Sequence, residues 1–112
     1  MAHSHRADDA VLVLSNAPDA EAARRIASHL VQERLAACVN VGAPVRSIYR
    51  WEGNVESADE VPLFIKTTAA RLPAVQEAIA RLHPYEVPEI IAVPLTEGLP
   101  AYLDWVRQEV RD

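Results

Sequence analysis

The first sustained pattern in the chain is "AVLVLS", Ala10 to Ser15, an apolar run without alternation. A short run of that kind predicts a strand buried on both faces. "NAPD" follows as a turn, with Asp19 as helix N-cap. Beyond it Ala23, Ile26, Ala27, Leu30 and Val31 recur at helical spacing, with Arg24, Arg25, Gln32 and Glu33 mostly on the opposite side. "LAACVNV", Leu35 to Val41, is a second apolar run. It predicts a strand continuing through "VRSIYRW", Val45 to Trp51, with a bulge or break at Gly42 and Pro44. Gly53-Asn54 between strand-like runs signals a hairpin. The return strand includes "EVPLFIKTT", Glu60 to Thr68, with Pro62 placing its start at a sheet edge or bulge.

"ARLPAVQEAIARL" predicts a second helix with Pro73 in its first turn and Val75, Ala78, Ile79 and Leu82 as its apolar stripe. "HPYEVPEI", His83 to Ile90, then leads into a last strand, "IIAVPL". Prolines after His83 and Val87 favour extended backbone there. Pro100 starts a final helix, "AYLDWVRQEV", with Leu99, Leu103 and Val106 as its apolar face. The order is β-α-β-β-α-β plus a C-terminal helix. That is the α+β, ferredoxin-like arrangement, with two helices on one face of an antiparallel sheet. Residues 1–9 read as a flexible tail and 10–112 as one domain.

Two helices cover one face of such a sheet, and a solvated second face should be polar on alternate residues. Yet Val11, Leu12, Val13 and Leu14 are all apolar, as are Ile90, Ile91, Ala92 and Val93. The third helix can cover part of that second face. The remainder predicts an obligate homo-oligomer.

Composition narrows the function classes. The formal net charge of −5 disfavours a nucleic-acid partner. A single cysteine, Cys38, excludes an intramolecular disulfide and fits a reducing compartment. The polar start "MAHSHRADDA" lacks the apolar run of a signal peptide, and no run is long enough to span a bilayer, so a soluble cytoplasmic protein is expected. His3 and His5 can catch copper or nickel adventitiously.

Few residues offer chemistry. Cys38 sits in an apolar run, where cysteine usually serves as a small hydrophobe; His83 follows a helix and is a candidate cap or ligand. His29, inside the first helix, is expected to face out. No CxxC or HExxH pair exists, so a strong metal site would have to gather distant residues. Lys66, centred in a strand, wants a carboxylate or an anionic ligand, and Glu60, Glu86 and Glu89 are available partners. Tyr49, Trp51, Tyr85 and Trp105 suit an interface, a cleft or the core. No nucleophile elbow, GxGxxG or phosphate-binding loop is present. The strand "EVPLFIKTT" also lacks the glycine-and-aromatic "KGFGFV"-like pattern of an RNA-recognition strand.

Taken together, "APD", "ERLAACVN", "SIYRWEG", "FIKTT", "HPYEVPEI" and "YLDW" resemble the divalent-cation tolerance protein CutA family, in the family's order over nearly the whole folded chain. The resemblance implies a homotrimer whose long hairpins extend sheets between subunits. It implies cation binding or homeostasis rather than catalysis, with copper or another divalent cation as ligand. Proposed copper ligands of the family include a cysteine ending the first strand and one or two histidines before "PY". Here Ser15 and Leu82 occupy two of those positions, leaving His83, with Cys38 as a second donor. A hydroxyl is a far poorer copper ligand than a thiolate, so weak binding is expected. Trp51, Lys66, Tyr85, Glu86 and Glu89 match recurrent family positions and are expected to line an inter-subunit cleft. The competing expectation is a trimeric signalling or adaptor protein that binds a small anionic ligand at such clefts through Lys66.

Overall fold

The computed structural model describes residues 6–111; His3 and His5 lie outside the described residues. Strand β1 (Ala10–Ala17) is followed by helix α1 (Ala20–Gln32), strands β2 (Cys38–Val41), β3 (Val45–Trp51) and β4 (Asn54–Thr68), a 3-10 turn (Ala69–Arg71), helix α2 (Leu72–Leu82), strand β5 (Ile90–Pro94) and helix α3 (Pro100–Glu109). The sheet order is β2-β4-β1-β5, with β3 paired to the first half of β4, and every pairing is antiparallel.

β1 runs two residues past the expected stop. Asn16 and Ala17 stay paired with Pro62 and Val61, so the turn is confined to Pro18 and Asp19. The Asp19 carboxylate then accepts the Ala22 N–H at 2.8 Å and caps α1. At the far end, Leu35 and Ala36 both donate to the Leu30 carbonyl. Those N–H groups close the helix, which is why β2 begins at Cys38 rather than at Leu35.

The hairpin turn is displaced by one residue from its expected place. Glu52 (φ 49°) and Gly53 (φ 84°) both take left-handed conformations, and Trp51 pairs with Asn54. This is the two-residue turn whose twist matches the flanking strands. β4 therefore starts at Asn54, well before Glu60. Its first half is polar and solvent-facing, so it carries no burial signal and is held by pairing with β3.

Pro62 lies inside β4 without breaking it. Its carbonyl accepts the Gly42 N–H at 2.9 Å, so its missing N–H faces the gap between β2 and β3. No ladder bond is lost there.

One sheet face packs on α1 and α2. Val11, Val13, Leu63 and Ile65 meet Ala23, Ile26, Leu30, Val75 and Ile79 in a single buried cluster. Each fully buried Leu, Ile or Val contributes about 1.5–3 kcal/mol. On the other face, Leu12 and Leu14 of β1 lie between Lys66 and Phe64 of β4 and Val93 and Ile91 of β5. α3 covers one corner of the molecule through Ala37, Val106 and Val110. Phe64, Ile91 and Val93 remain 38%, 52% and 44% exposed. Leu99, expected on the apolar face of α3, is exposed at its N-cap.

Before β1, Ala7 and Asp9 accept backbone bonds from Ala70 and Ala69, and the Asp8 carbonyl accepts from Arg107. No helix among the described residues is long and apolar enough to cross a membrane.

Candidate functional site: an acidic, aromatic cleft

The β3–β4 hairpin projects beyond the four-stranded sheet, and the His83–Glu89 connection passes beside it. Between them lies a cleft of about 720 Å³. Antiparallel register places Tyr49 opposite Glu56 and Trp51 opposite Asn54, so Tyr49, Trp51, Glu56 and Glu60 share one hairpin face. The connection supplies Tyr85, Glu86 and Glu89. Among the described residues, four carboxylates and three aromatic rings thus line the cleft, and no lysine or arginine does. Burial raises the Tyr85 phenol above its ordinary range, and the adjacent Glu60 carboxylate raises it further.

Backbone stiffness and three side-chain bonds hold the connection. His83 ends α2, its N–H bonded to the Ile79 carbonyl at 2.8 Å. Its imidazole is 6% exposed. Nδ1 lies 3.1 Å from the Tyr85 backbone N–H, which it accepts. Nε2 lies 2.6 Å from the Asn16 carbonyl of β1. An imidazole that accepts at Nδ1 and faces a carbonyl at Nε2 is the neutral Nε2–H tautomer. At the other end, Asn16 Nδ2 donates to Glu89 Oε1 at 3.1 Å. The His83 and Tyr85 rings are 4.6 Å apart.

Of the residues expected in the cleft, Trp51, Tyr85, Glu86 and Glu89 come together within one chain. Lys66 lies elsewhere. It is centred on the open sheet face, paired with Cys38 and Leu12, and its ammonium bonds the Asn40 side chain. Within one chain the expected ligands His83 and Cys38 are not brought together. Cys38 stands two strands across from Leu12, and Asn16, which holds His83, is four residues further along β1. Strand dimensions put about 16 Å between Cys38 and Asn16. Cys38 instead neighbours Tyr102 of α3, whose phenol is raised by burial and by that thiol. Ser15 is buried, and its hydroxyl has no hydrogen-bond partner among the described residues. No group of three or more His, Cys, Asp or Glu side chains among the described residues is close enough to hold a metal ion.

The sequence reading missed Glu56 and Asn16. Glu56 enters the site only once the turn is placed at Glu52-Gly53, which sets it opposite Tyr49. Asn16 looked like part of a turn, whereas it is a paired strand residue facing both ends of the connection.

Comparison with known proteins places these observations in context. Residues 11–109 match the family model described as CutA1 divalent ion tolerance protein. A divalent-cation tolerance protein CutA from Thermus thermophilus is 50% identical over 97 residues, covering 87% of this chain and 94% of that protein. A chloroplastic CutA protein of Arabidopsis thaliana is 39% identical over 112 residues, and this chain spans 62% of its length. The crystal structure of CutA from Xylella fastidiosa superposes with a TM-score of 0.89 at 45% identity, covering 92% of this chain and 99% of that one.

Proposed function

The chain belongs to the CutA1 divalent ion tolerance protein family, and from that membership we propose a self-assembling protein that binds divalent cations and catalyses no reaction. The observation that carries this reading is the cleft itself: Glu56, Glu60, Glu86 and Glu89 line it with no basic side chain to offset them. Like charges gathered along low-dielectric walls concentrate cations. Carboxylate oxygens accept many divalent ions with modest selectivity, which suits tolerance better than a dedicated cage. Copper or another divalent cation, weakly held, is the ligand.

Ferredoxin-like subunits assemble as a homotrimer in this reading. The uncovered apolar face around Phe64, Ile91 and Val93 supports it, since apolar surface of that kind is ordinarily buried against another copy. The competing reading, a trimeric signalling or adaptor protein that binds a small anionic ligand at inter-subunit clefts through Lys66, draws no support from this intra-chain cleft. Lys66 lies outside the cleft, and the charges lining it repel anions.

Trp51 provides the test, because it lines the cleft and a bound cupric ion quenches its fluorescence. Titration of wild type with cupric ion produces saturable quenching, and Trp51→Phe removes most of that signal. Quenching that is unchanged in Trp51→Phe would place the ion elsewhere.

A further inference from the structure

We propose that His83 is a positioning residue of the cleft and not a cation ligand: His83 and Glu89 staple the two ends of one connection to a single residue, Asn16. The inference rests on the cation-binding reading for the site it concerns, but its first measurement needs no cation.

A neutral imidazole has one N–H to donate and one lone pair to give. In His83 both are spent. The lone pair of Nδ1 accepts the Tyr85 N–H at 3.1 Å, and the proton of Nε2 points at the Asn16 carbonyl 2.6 Å away. A metal at Nδ1 would leave the Tyr85 N–H unpaired. A metal at Nε2 would face a carbonyl already occupying that direction, inside a site only 6% exposed. The other soft donors do not help. Cys38 is on a strand two positions across the sheet, and the residue preceding Asn16 is Ser15, a hydroxyl rather than a thiolate. The donor set therefore does not fit a soft copper centre at the end of β1.

The same bonds explain what His83 does instead. Asn16 sits in β1, fixed by pairing with Pro62. Its carbonyl holds His83 where the connection starts, and its side-chain amide holds Glu89 where the connection ends. Between those two points the chain presents Tyr85 and Glu86 to the hairpin. The width of the cleft is thus set from a rigid strand. Cations bind to carboxylates that His83 positions but does not join.

Nitrogen-15 spectra of the imidazoles in the full-length, metal-free protein make the first measurement. The Nε2–H tautomer is expected for His83, and saturating zinc ion leaves its ring nitrogens in place. A coordination shift of either His83 nitrogen on adding zinc would overturn the proposal, as would the Nδ1–H tautomer in the free protein. Site-resolved signals keep His3 and His5 from obscuring the answer.

Variants make the second measurement. His83→Gln supplies a donor and an acceptor but is a poor metal ligand, so it retains zinc affinity within about threefold and keeps the Tyr85 amide protected from exchange. His83→Ala removes the acceptor of the Tyr85 N–H and speeds its exchange by about tenfold or more, whereas Asn16→Asp keeps the backbone carbonyl that holds His83, releases only the Glu89 end and lowers zinc affinity while the Tyr85 amide stays protected. A ligand role makes the opposite prediction: His83→Gln loses zinc as fully as His83→Ala, while Asn16→Asp keeps it. If wild type binds no zinc, the cation reading fails, and the tautomer and amide-exchange results still decide the role of His83.

Discussion

Tyr85 concentrates the electrostatics of the cleft in one side chain. Its phenol is raised by burial and then by Glu60, so the folded chain favours the protonated form more than the unfolded chain does. The sign of the linkage follows. The stabilisation is fully present below the ordinary tyrosine value near pH 10 and is lost as pH rises through the higher folded value. Tyr102 is raised as well, so the test is made in a Tyr102→Phe background, where phenolate absorbance in an alkaline titration should contain a late component that disappears on adding Tyr85→Phe. If the late component persists in the double variant, Tyr85 does not face Glu60 as described. Ser15 illustrates the opposite situation: a buried hydroxyl without a partner among the described residues, on the strand face that packs against the helices. Its burial is accounted for by the apolar neighbours on either side, and no chemistry needs to be assigned to it.

At the level of elements, the junction of β2, β3 and β4 governs where the hairpin arm leaves the sheet. A Cβ added to Gly42 would stand 2.8 Å from Pro62 Cγ and 3.3 Å from the Phe64 ring. The proline ring is rigid and sits in a paired strand, so it cannot move aside without disturbing β1. Gly42→Ala should destabilise the fold by about 1–3 kcal/mol, the range for overpacking a tight site. A urea midpoint equal to wild type would show that the junction is looser than described. The same junction marks how far the sequence could be read. Gly42 and Pro44 announced the break between β2 and β3, and Asp19, Pro73 and Pro100 announced helix starts, because each acts through local backbone chemistry. The first half of β4 was not legible, because residues that face water on both sides lack the period that betrays a strand. Resemblance puts Trp51, Tyr85, Glu86 and Glu89 in an inter-subunit cleft, whereas the cleft they line here lies within a single chain. The in-chain partner of Lys66, Asn40, was not legible from its strand position alone, since it depends on which strand lies beside it.

For the whole molecule, the proposed assembly accounts for two exposed features of the single chain. β5 is almost wholly exposed, and among the described residues β3 pairs on one side only. An apolar face and a free strand edge are liabilities for an isolated subunit and assets for an assembly. Light scattering at micromolar concentration should give about three times the 12.3 kDa chain mass. A value near that of a single chain would contradict assembly. The proposed cation site is the cleft, whose walls are a projecting arm and a connection stapled to the central sheet. In the proposed function the carboxylates of that cleft draw in a weakly bound cation by their summed charge, without forming a closed ligand cage. Calorimetric titration of the protein with cupric ion, wild type against the Glu56→Gln/Glu60→Gln double variant at matched ionic strength, tests it most directly. Affinity lower by about tenfold or more is predicted for the variant, since each lost unit charge assists a unit cation about 4 Å away by roughly 1 kcal/mol even when screened as in bulk water. Superimposable isotherms would contradict it.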